Sequence, residues 1–426
     1  MLIRLKNEKA INIESIFLFI NLITLAVYEI TRKEELLIIL LLEFSYLLLK
    51  GRIKIKFTLY EKRFLYFFIY YILISLVNLL IMESNNSHYD FLKNQIFVLA
   101  LRVFIVLNIY IIIKSDNFNL IKFFNLIKYI GIVLCIIGVY EYVYRESLSY
   151  HIFGNNERNW QITKIGTDYF RVFTFFMHPI VYGMFLIVLF WMIKFLPLKN
   201  FYINKIYQLL ILINLYATKS RSSWIGLIIT IFFYLIINKN IYFRKINKKK
   251  FLSWFLIINL TLIMFFVYRK NIYEALTTIL QRFQIVLQED SMDGSRTQRL
   301  GAIKNIIEFE KNNPLSFLFG RGVGYGTVFM INNPVNVGFN IVDNQFFTII
   351  LECGIIGLML FIIPCLRILT LLIKCEKNTI NNISGICLLG IYVNIFFYDA
   401  LTWYVSLFLI SLFIFAFNFK SSNKKV

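Results

Sequence analysis

The feature that most constrains this chain is a series of long apolar windows separated by polar segments. Windows such as Phe64–Met82, Phe251–Tyr268 and Phe346–Ile373 are built from Leu, Ile, Phe, Val and Tyr with few charges. Their length suits a hydrocarbon layer about 30 Å thick. The sequence therefore predicts an all-α polytopic membrane protein, in which one integral membrane domain fills residues 1–426.

Twelve membrane spans are predicted from these windows. They lie near residues 11–29, 36–49, 64–82, 94–113, 126–144, 179–196, 206–218, 223–238, 251–268, 344–373, 382–398 and 400–418. The first apolar run lacks a small-residue cleavage site and leads directly into further spans, so we expect no cleavable signal.

The basic residues orient the chain in the membrane. A net charge of +21 alone would also suit a nucleic-acid-binding protein. However, more than half of the 45 Lys and Arg residues lie in the segments that face one side if the N-terminus is inside, and the short loops of the other side hold few. This is the positive-inside pattern. We therefore expect both termini in the cytoplasm and no nucleic-acid partner.

Two polar segments, residues 146–178 and 269–343, are far longer than the other connections, and the same charge pattern places both on the outer face. We expect the chemistry of the protein there. The five cysteines all fall in spans or at their inner ends, so these loops are not predicted to be held by disulfides: Cys135, Cys353, Cys365, Cys375 and Cys387. The sequence has no CxxC or DxD motif, and we predict no metal site and no cofactor.

The second outer loop contains two predicted helices. Apolar residues recur at i, i+3, i+4 and i+7 through Asn271–Asp290, which predicts an amphipathic helix. Its apolar face could lie on the outer leaflet or pack on the protein's own helices. A second helix is predicted to start at Ser295, because Ser295 and Gln298 form a capping-box pattern before an apolar stripe.

This second helix carries two arginines, Arg296 and Arg299, in or next to its first turn. Cations there oppose the helix dipole by a few tenths of a kcal/mol. A bound phosphate or pyrophosphate would explain their presence, since free backbone N–H groups at a helix start already favour an anion. Pairing with Glu289, Asp290 or Asp293 is the alternative, and the pattern by itself favours neither.

Other polar residues line up on the outer side in four short segments. Arg171 and His178 precede a span, and Arg221 lies in TKSRSSW at a helix hairpin. Arg321 lies in the glycine-rich turn LFGRGVGYG, which lacks the context of a nucleotide-binding fingerprint. Asp343 and Asn344 stand at the mouth of a long span.

Each of these residues also has a structural interpretation. His178 could be a hydrogen-bonding residue at a helix start, and the glycines could serve turn geometry alone. Within the spans, the charged residues Arg102, Glu43 and Glu141 are predicted to pair with one another.

In this order the segments resemble the O-antigen ligase and polymerase superfamily, which includes the Wzy-type polysaccharide repeat-unit polymerases. The matching residues are Arg171, His178, Pro179 and Gly183; Thr218, Ser220 and Arg221; Ser295 and Arg296; Pro314, Gly322, Gly324 and Gly326; and Asn344, Glu352, Gly354 and Gly357. The resemblance covers roughly residues 165–361. It implies an architecture of the GT-C glycosyltransferase type in a bacterial cytoplasmic membrane.

The resemblance also implies a reaction. Such enzymes move a glycan from undecaprenyl pyrophosphate to a lipid-linked repeat unit outside the membrane, building O-antigen, capsule or exopolysaccharide. Flippase and chain-length regulator proteins are the implied partners. Without a metal, arginines would meet the charge of the pyrophosphate leaving group. The expected catalytic residues are Arg221, Arg296, Asp343 and His178, and the expected substrate-binding residues are Arg171, Arg299, Arg321 and Asn344.

One departure from the family pattern favours a polymerase over a ligase. The ligases usually carry a His-Asn pair where this chain has Asp343 and Asn344. The replacement weakens the ligase interpretation, because an imidazole and a carboxylate differ in resting charge at neutral pH. A ligase-type glycan transferase is therefore kept as the first alternative rather than as the main prediction. A lipid-linked oligosaccharide flippase or transporter is an alternative of another class, and an envelope scaffold or sensor is a third.

Overall fold

The computed structural model describes residues 13–49, 57–82, 88–116, 118–154, 164–167, 169–237, 294–336, 338–374 and 378–418. For residues 294–296 and 374 it describes the backbone only. The predicted span at 251–268 and the predicted amphipathic helix Asn271–Asp290 lie outside the described residues.

The described residues form an all-α bundle without strands. The helices are α1 (Ile13–Thr31), α2 (Leu37–Leu49), α3 (Leu59–Ile81), α4 (Tyr89–Lys114), α5 (Leu120–Tyr144), α6 (Leu148–Phe153), α7 (Pro179–Phe195), α8 (Phe201–Ala217), α9 (Arg221–Ile237), α10 (Gly294–Lys311), α11 (Pro314–Phe319), α12 (Tyr325–Asn332), α13 (Gln345–Lys374), α14 (Thr379–Ile395) and α15 (Tyr404–Ala416). Short 3₁₀ turns precede α2 and α15.

Five of these helices, α1, α3, α4, α5 and α13, are long and apolar enough to cross a membrane. Helices α7, α9, α14 and α15 are also apolar but shorter. The prediction of an all-α multi-pass membrane protein is therefore confirmed. The total of twelve spans and the GT-C architecture stay predictions.

Helices α1 and α3 both run antiparallel to α15, as contacts at the two ends of the bundle show. At one end, the start of α3 meets the end of α15, where the Tyr60 hydroxyl donates to the Phe417 carbonyl at 2.9 Å. At the other end, the end of α1 meets the start of α15, where Val405 N–H donates to Glu29 Oε1 at 2.9 Å. The second end also carries the described parts of both long loops. We call it the site end.

The centre of the bundle is formed by α7, α14 and α15, which bury residues around almost their whole circumference. A helix that is apolar on every side is stable only when other helices or lipid surround it. Here α7 packs against α5, α8, α9 and α14, and α15 packs against α4 and α14. The central helices therefore fix the positions of the loops at the site end.

Small residues and polar side chains hold neighbouring helices of the bundle together. The hydroxyl of Ser223 on α9 donates to Asn394 Oδ1 on α14 at 2.9 Å. A Cβ at Gly183 on α7 would come within 2.1 Å of the Ser223 hydroxyl oxygen, so glycine allows this close approach. Such hydrogen bonds and small-residue contacts are the usual means of helix association in membranes.

Helix α13 is interrupted, although the sequence predicts one long span there. Gly354 adopts φ 63° and ψ −172°, outside helical values. A Cβ at this position would lie 2.3 Å from the carbonyl oxygen of Leu318 on α11. The break therefore lets α11 pack against α13, and only glycine fits this conformation and space.

The charge pattern predicts that the site end faces outward, and cysteine labelling tests this. In a chain lacking the native cysteines, Asn312→Cys should react with a membrane-impermeant maleimide in intact cells, because Asn312 is exposed at the site end. Lys199→Cys is the matched control, since Lys199 is exposed in a connection at the opposite end and should react only after permeabilisation. The reverse pattern would contradict the predicted orientation.

Candidate functional site

An ion pair between Arg299 and Asp343 lies at the site end. Arg299 Nη2 and Nε both approach Asp343 Oδ2, at 2.7 and 2.8 Å. The two side chains remain about a quarter exposed. Burial raises the pKa of the Asp343 carboxyl, and the charges of Arg299 and Arg171 oppose this rise. Sequence reasoning placed both residues on the outer side but did not pair them.

His178 lies beside this pair as the N-cap of α7. Its Nδ1 accepts the N–H of Ile180 at 3.1 Å, and its ring stacks on Tyr398 with centroids 4.5 Å apart. Burial, together with the charges of Arg171 and Arg299, holds the pKa of His178 well below its usual value. The ring is therefore neutral with its proton on Nε2, which makes it a hydrogen-bond donor.

Arg171 reaches the turn between α8 and α9. Its Nε donates to the Thr218 carbonyl at 3.2 Å, and the Val172 N–H donates to the Ala217 carbonyl at 3.1 Å. Arg221, half-buried, follows this turn as the first residue of α9. The turn therefore brings Arg171 and the backbone of Arg221 to one region of the site end.

Glu141, at the end of α5, holds the first outer loop in place. Its Oε2 accepts the N–H groups of Thr174 and Phe173 at 2.9 and 3.4 Å, and its Oε1 accepts the N–H of Leu148 at 3.2 Å. A buried carboxylate is stable only when its oxygens are satisfied in this way. The carboxylate thereby positions the segment that carries Arg171.

The predicted pairing among charged residues of the spans is wrong. Glu141 binds loop backbone, as described above, and both oxygens of Glu43 lack a hydrogen-bond partner among the described residues. Arg102 instead faces Glu352 and Asp399. Sequence reasoning could not choose among these carboxylates because several acidic residues lie in apolar windows, and only the packing of the helices decides which one meets Arg102.

The remaining predicted arginines have different surroundings. Arg296 lies in the first turn of α10, three residues before Arg299 and so on the same side of the helix. Its side chain lies outside the described residues. Arg321 stacks on Phe309 at 4.8 Å and donates to Asn313 Oδ1 at 3.1 Å. Phe309 is ten residues beyond Arg299 on α10, which corresponds to roughly 15 Å along the helix. Arg321 therefore lies apart from the ion pair.

Asn344 is the N-cap of α13. Its side-chain oxygen accepts the N–H groups of Phe346 and Phe347 at 3.0 and 3.4 Å, and the residue is only 2% exposed. Its observed contacts are therefore those of a helix cap. Its role in substrate binding stays a prediction.

The glycine-rich turn folds around Glu352 of α13. Glu352 Oε1 accepts the N–H groups of Gly324 and Gly326 at 2.8 and 3.3 Å, and Oε2 accepts the hydroxyl of Tyr71 on α3. The Gly322 N–H also donates to the Glu352 carbonyl at 2.8 Å. Every side-chain oxygen of Glu352 therefore has a partner, and the turn is held against the bundle.

Beside this turn is a cavity with ≈ 440 Å³ of empty space, counting its open mouth. Its lining includes polar groups from several elements: Tyr71, Gln95, Arg102, Gln345, Thr348, Glu352, Asp399 and Thr402. Ile341 and Val342 also line it, so the cavity adjoins the segment that carries Asp343. We call it the acidic cavity.

Sequence reasoning missed Asp399, Tyr398 and Trp403, which belong to the connection between α14 and α15. Tyr398 and Trp403 pack on the ring of His178, and Asp399 lines the acidic cavity. The available signal was an acidic residue between two strongly apolar windows, flanked by aromatic residues. This connection joins the region of His178 to the cavity.

These features define a multi-pass, all-α membrane protein with an arginine-bearing polar site at one end of its bundle. Residues 206–362 match the family model described as O-antigen ligase. This match covers a little over a third of the chain and includes Arg221, Arg299 and Asp343, but not Arg171. No curated protein matches the chain. The resemblance to the O-antigen ligase and polymerase superfamily is thereby confirmed, and the match points to glycan transfer.

The packing of the glycine-rich turn predicts that Gly320→Ala destabilises the protein strongly. Gly320 has φ 80°, and an added Cβ would lie 2.4 Å from the backbone nitrogen of Cys353. Gly154→Ala is the matched control, because Gly154 has φ 91° but no atom within 4 Å of an added Cβ. Both variants carry the same class of backbone strain, about 1–3 kcal/mol.

Thermal unfolding in detergent measures the difference. Gly154→Ala should melt moderately below the unmodified protein because of this strain alone, whereas Gly320→Ala should melt well below Gly154→Ala or fail to accumulate in the membrane. Equal melting temperatures for the two variants would show that the turn does not pack against α13 as described.

Proposed function

We propose that this protein is a polymerase of surface polysaccharide. It transfers a growing glycan from undecaprenyl pyrophosphate to a lipid-linked repeat unit on the outer face of the cytoplasmic membrane. The observation that carries the proposal is the arginine–aspartate cluster, formed by Arg171, His178, Arg299 and Asp343, in a chain that matches the O-antigen ligase family model. That match favours glycan transfer over the flippase or transporter alternative.

The arginine–aspartate cluster suits a pyrophosphate leaving group. As the glycosidic bond breaks, negative charge develops on the diphosphate, and arginine meets it with a planar fork of N–H donors. Arg299 has five such donors, and two of them bind Asp343. The other three donors bind no described residue and are proposed to meet an anion, while the carboxylate fixes the orientation of the guanidinium. Arg171 adds a second positive charge close to the same group.

His178 is proposed to donate a hydrogen bond from Nε2. Because Nδ1 is occupied by the Ile180 N–H and the ring is neutral, His178 has no free lone pair with which to accept a proton. A neutral N–H donor next to Arg171 and Arg299 suits a phosphate or hydroxyl oxygen of the substrate.

The residue at position 343 favours a polymerase over a ligase. Where the resemblance leads one to expect a histidine, Asp343 forms the ion pair with Arg299. Asp343 Oδ2 accepts both the Nε–H and the Nη2–H of Arg299, so the carboxylate is engaged in orienting the guanidinium. Asp343 is therefore proposed to position Arg299, and the ligase reaction that depends on an imidazole is the less suitable one.

The proposed reaction needs no metal or cofactor, since arginines supply the positive charge. The described residues contain no group of three or more His, Cys, Asp or Glu placed to hold a metal ion. Activity in the presence of a chelator tests this part of the proposal directly. Chelator-sensitive transfer would replace it with a metal-dependent mechanism.

Arg221→Ala and Arg296→Ala should each lower the polymerisation rate on the order of 10²-fold or more, because a charge-assisted bidentate contact is lost in the transition state. Lysine should restore little activity, since it keeps the charge but loses the planar fork. The measurement is polymer length per molecule of membrane-inserted protein, with a chelator present.

Lys304→Ala is the matched control for these variants. Lys304 is an exposed cation on α10, two turns beyond Arg296, and its removal changes the charge of the same helix. Its activity should equal that of the unmodified protein. Unchanged polymer length in both arginine variants would remove the proposed role of these residues.

Deletion of the gene should leave the surface glycan as single repeat units, because synthesis of the lipid-linked unit continues while polymerisation fails. Glycan length on gels distinguishes the alternatives, and the control is the same strain carrying the gene on a plasmid. If the deletion strain made full-length polymer that was not attached to its final acceptor, the protein would be a ligase.

A further inference from the structure

One carboxylate in the acidic cavity has an oxygen without a partner. Glu352 uses both oxygens on the glycine-rich turn and Tyr71, as described above. In Asp399, Oδ2 accepts the hydroxyl of Thr348 at 3.2 Å, but Oδ1 is buried and has no hydrogen-bond partner among the described residues. An unsatisfied carboxylate oxygen in a buried site is costly unless a ligand or water binds it.

A second unsatisfied group belongs to another residue that lines the cavity. Arg102 on α4 is 7% exposed, and its Nε also lacks a partner in the described part of the chain. Asp399 and Arg102 both line the cavity together with Gln95 and Thr402, although the two unpaired atoms have almost no exposed surface. Mixed donors and acceptors of this kind suit a ligand rich in hydroxyl groups, which both donates and accepts hydrogen bonds.

The acidic cavity adjoins the arginine–aspartate cluster. Val342 lines the cavity, and the next residue, Asp343, binds Arg299. On another side, Tyr398 stacks on His178, and the next residue, Asp399, lines the cavity. A ligand in the cavity would therefore lie next to a pyrophosphate held by the arginines. Thr402 and Ile341 are exposed parts of the lining, which leaves the cavity open at the site end.

We propose that the acidic cavity binds a sugar of the acceptor repeat unit, and that Asp399 accepts the proton of the attacking hydroxyl. This inference rests on the proposed function. As the hydroxyl oxygen forms its bond to the anomeric carbon of the donor, its proton moves to the Asp399 carboxylate. The bond from the anomeric carbon to the diphosphate breaks at the same centre, and the polyprenyl diphosphate leaves with the electron pair. Asp399 then returns its proton to water.

The surroundings of Asp399 support this role. Burial raises the pKa of Asp399 to about 7, with the Glu352 charge raising it further and the Arg102 charge opposing the rise. A carboxyl with a pKa near the working pH suits a general base. The titratable groups around the Asp399 carboxyl come from five parts of the chain. They are Tyr71 on α3, Arg102 on α4, Glu352 on α13, Asp343 just before α13, and Tyr398, the residue before Asp399.

Asp399→Asn is the central test, because asparagine keeps the size of the side chain and an oxygen for Thr348 but cannot accept a proton. Polymerisation by purified protein should fall on the order of 10²-fold or more. The substrate is lipid-linked repeat unit extracted from cells that lack the gene. In the unmodified protein the rate should rise with pH through about 7, as the Asp399 carboxyl ionises, and this rise should be absent from the residual activity of the variant.

Asp90→Asn is the matched control, since Asp90 is an exposed carboxylate in the first turn of α4 at the site end. It should retain full activity and the pH dependence. If Asp399→Asn does not fold, Thr402→Trp replaces it, because a large side chain at the exposed part of the lining should raise the acceptor concentration needed for half-maximal rate several-fold.

The outcomes separate this inference from the proposed function. Polymerisation by the unmodified protein together with full activity of Asp399→Asn would overturn the role of Asp399 alone. Reduced activity of Asp399→Asn with an unchanged pH profile would show a structural role and would also overturn it. Unaltered acceptor dependence in Thr402→Trp would remove the cavity as the acceptor site. An unmodified protein that transfers no glycan would overturn the proposed function and this inference with it.

Discussion

The arrangement of the site end depends on one buried carboxylate, that of Glu352. Deep in an apolar bundle, an ionised group is tolerated only when hydrogen bonds replace its hydration. Glu352 obtains them from Tyr71 and from the N–H groups of Gly324 and Gly326. Because these donors come from α3 and from the glycine-rich turn, satisfying one carboxylate ties two distant parts of the chain together and leaves the acidic cavity beside them.

Two polar centres of opposite character result, and the connection between α14 and α15 joins them. The arginine–aspartate cluster offers N–H donors and positive charge, whereas the acidic cavity is lined by the carboxyl groups of Glu352 and Asp399. In glycan transfer, the bond to a diphosphate breaks while a hydroxyl group loses its proton. Such a reaction requires a cationic site for the diphosphate and an acidic site for the proton close to each other. Tyr398 packs on His178 and adjoins Asp399, so the same short segment helps to shape both centres.

Much of the fold could be predicted from the apolar windows, because spans of sufficient length and polarity have few other solutions in a membrane. The helix α10 was also predictable from its apolar stripe, but the predicted capping box was not observed, because the helix already includes Gly294 and the Gln298 side chain donates to the Ile341 carbonyl. The interruption of α13 was not, since Gly354 takes a non-helical conformation to accommodate α11. For the site, the outer-face arginines were visible in the sequence. The pairing of Arg299 with Asp343 and the position of Asp399 were not.

The sequence by itself determined that the chain is a helical membrane protein. It also showed that the basic residues concentrate in the segments on one side of the predicted spans. These properties follow from local composition, since each apolar window meets the membrane independently of the others. Tertiary structure alone decided which charges meet: Arg102 faces Glu352 and Asp399, while Glu141 binds loop backbone. Such pairings depend on the rotation and packing of helices far apart in the chain, and hydropathy carries no information about either.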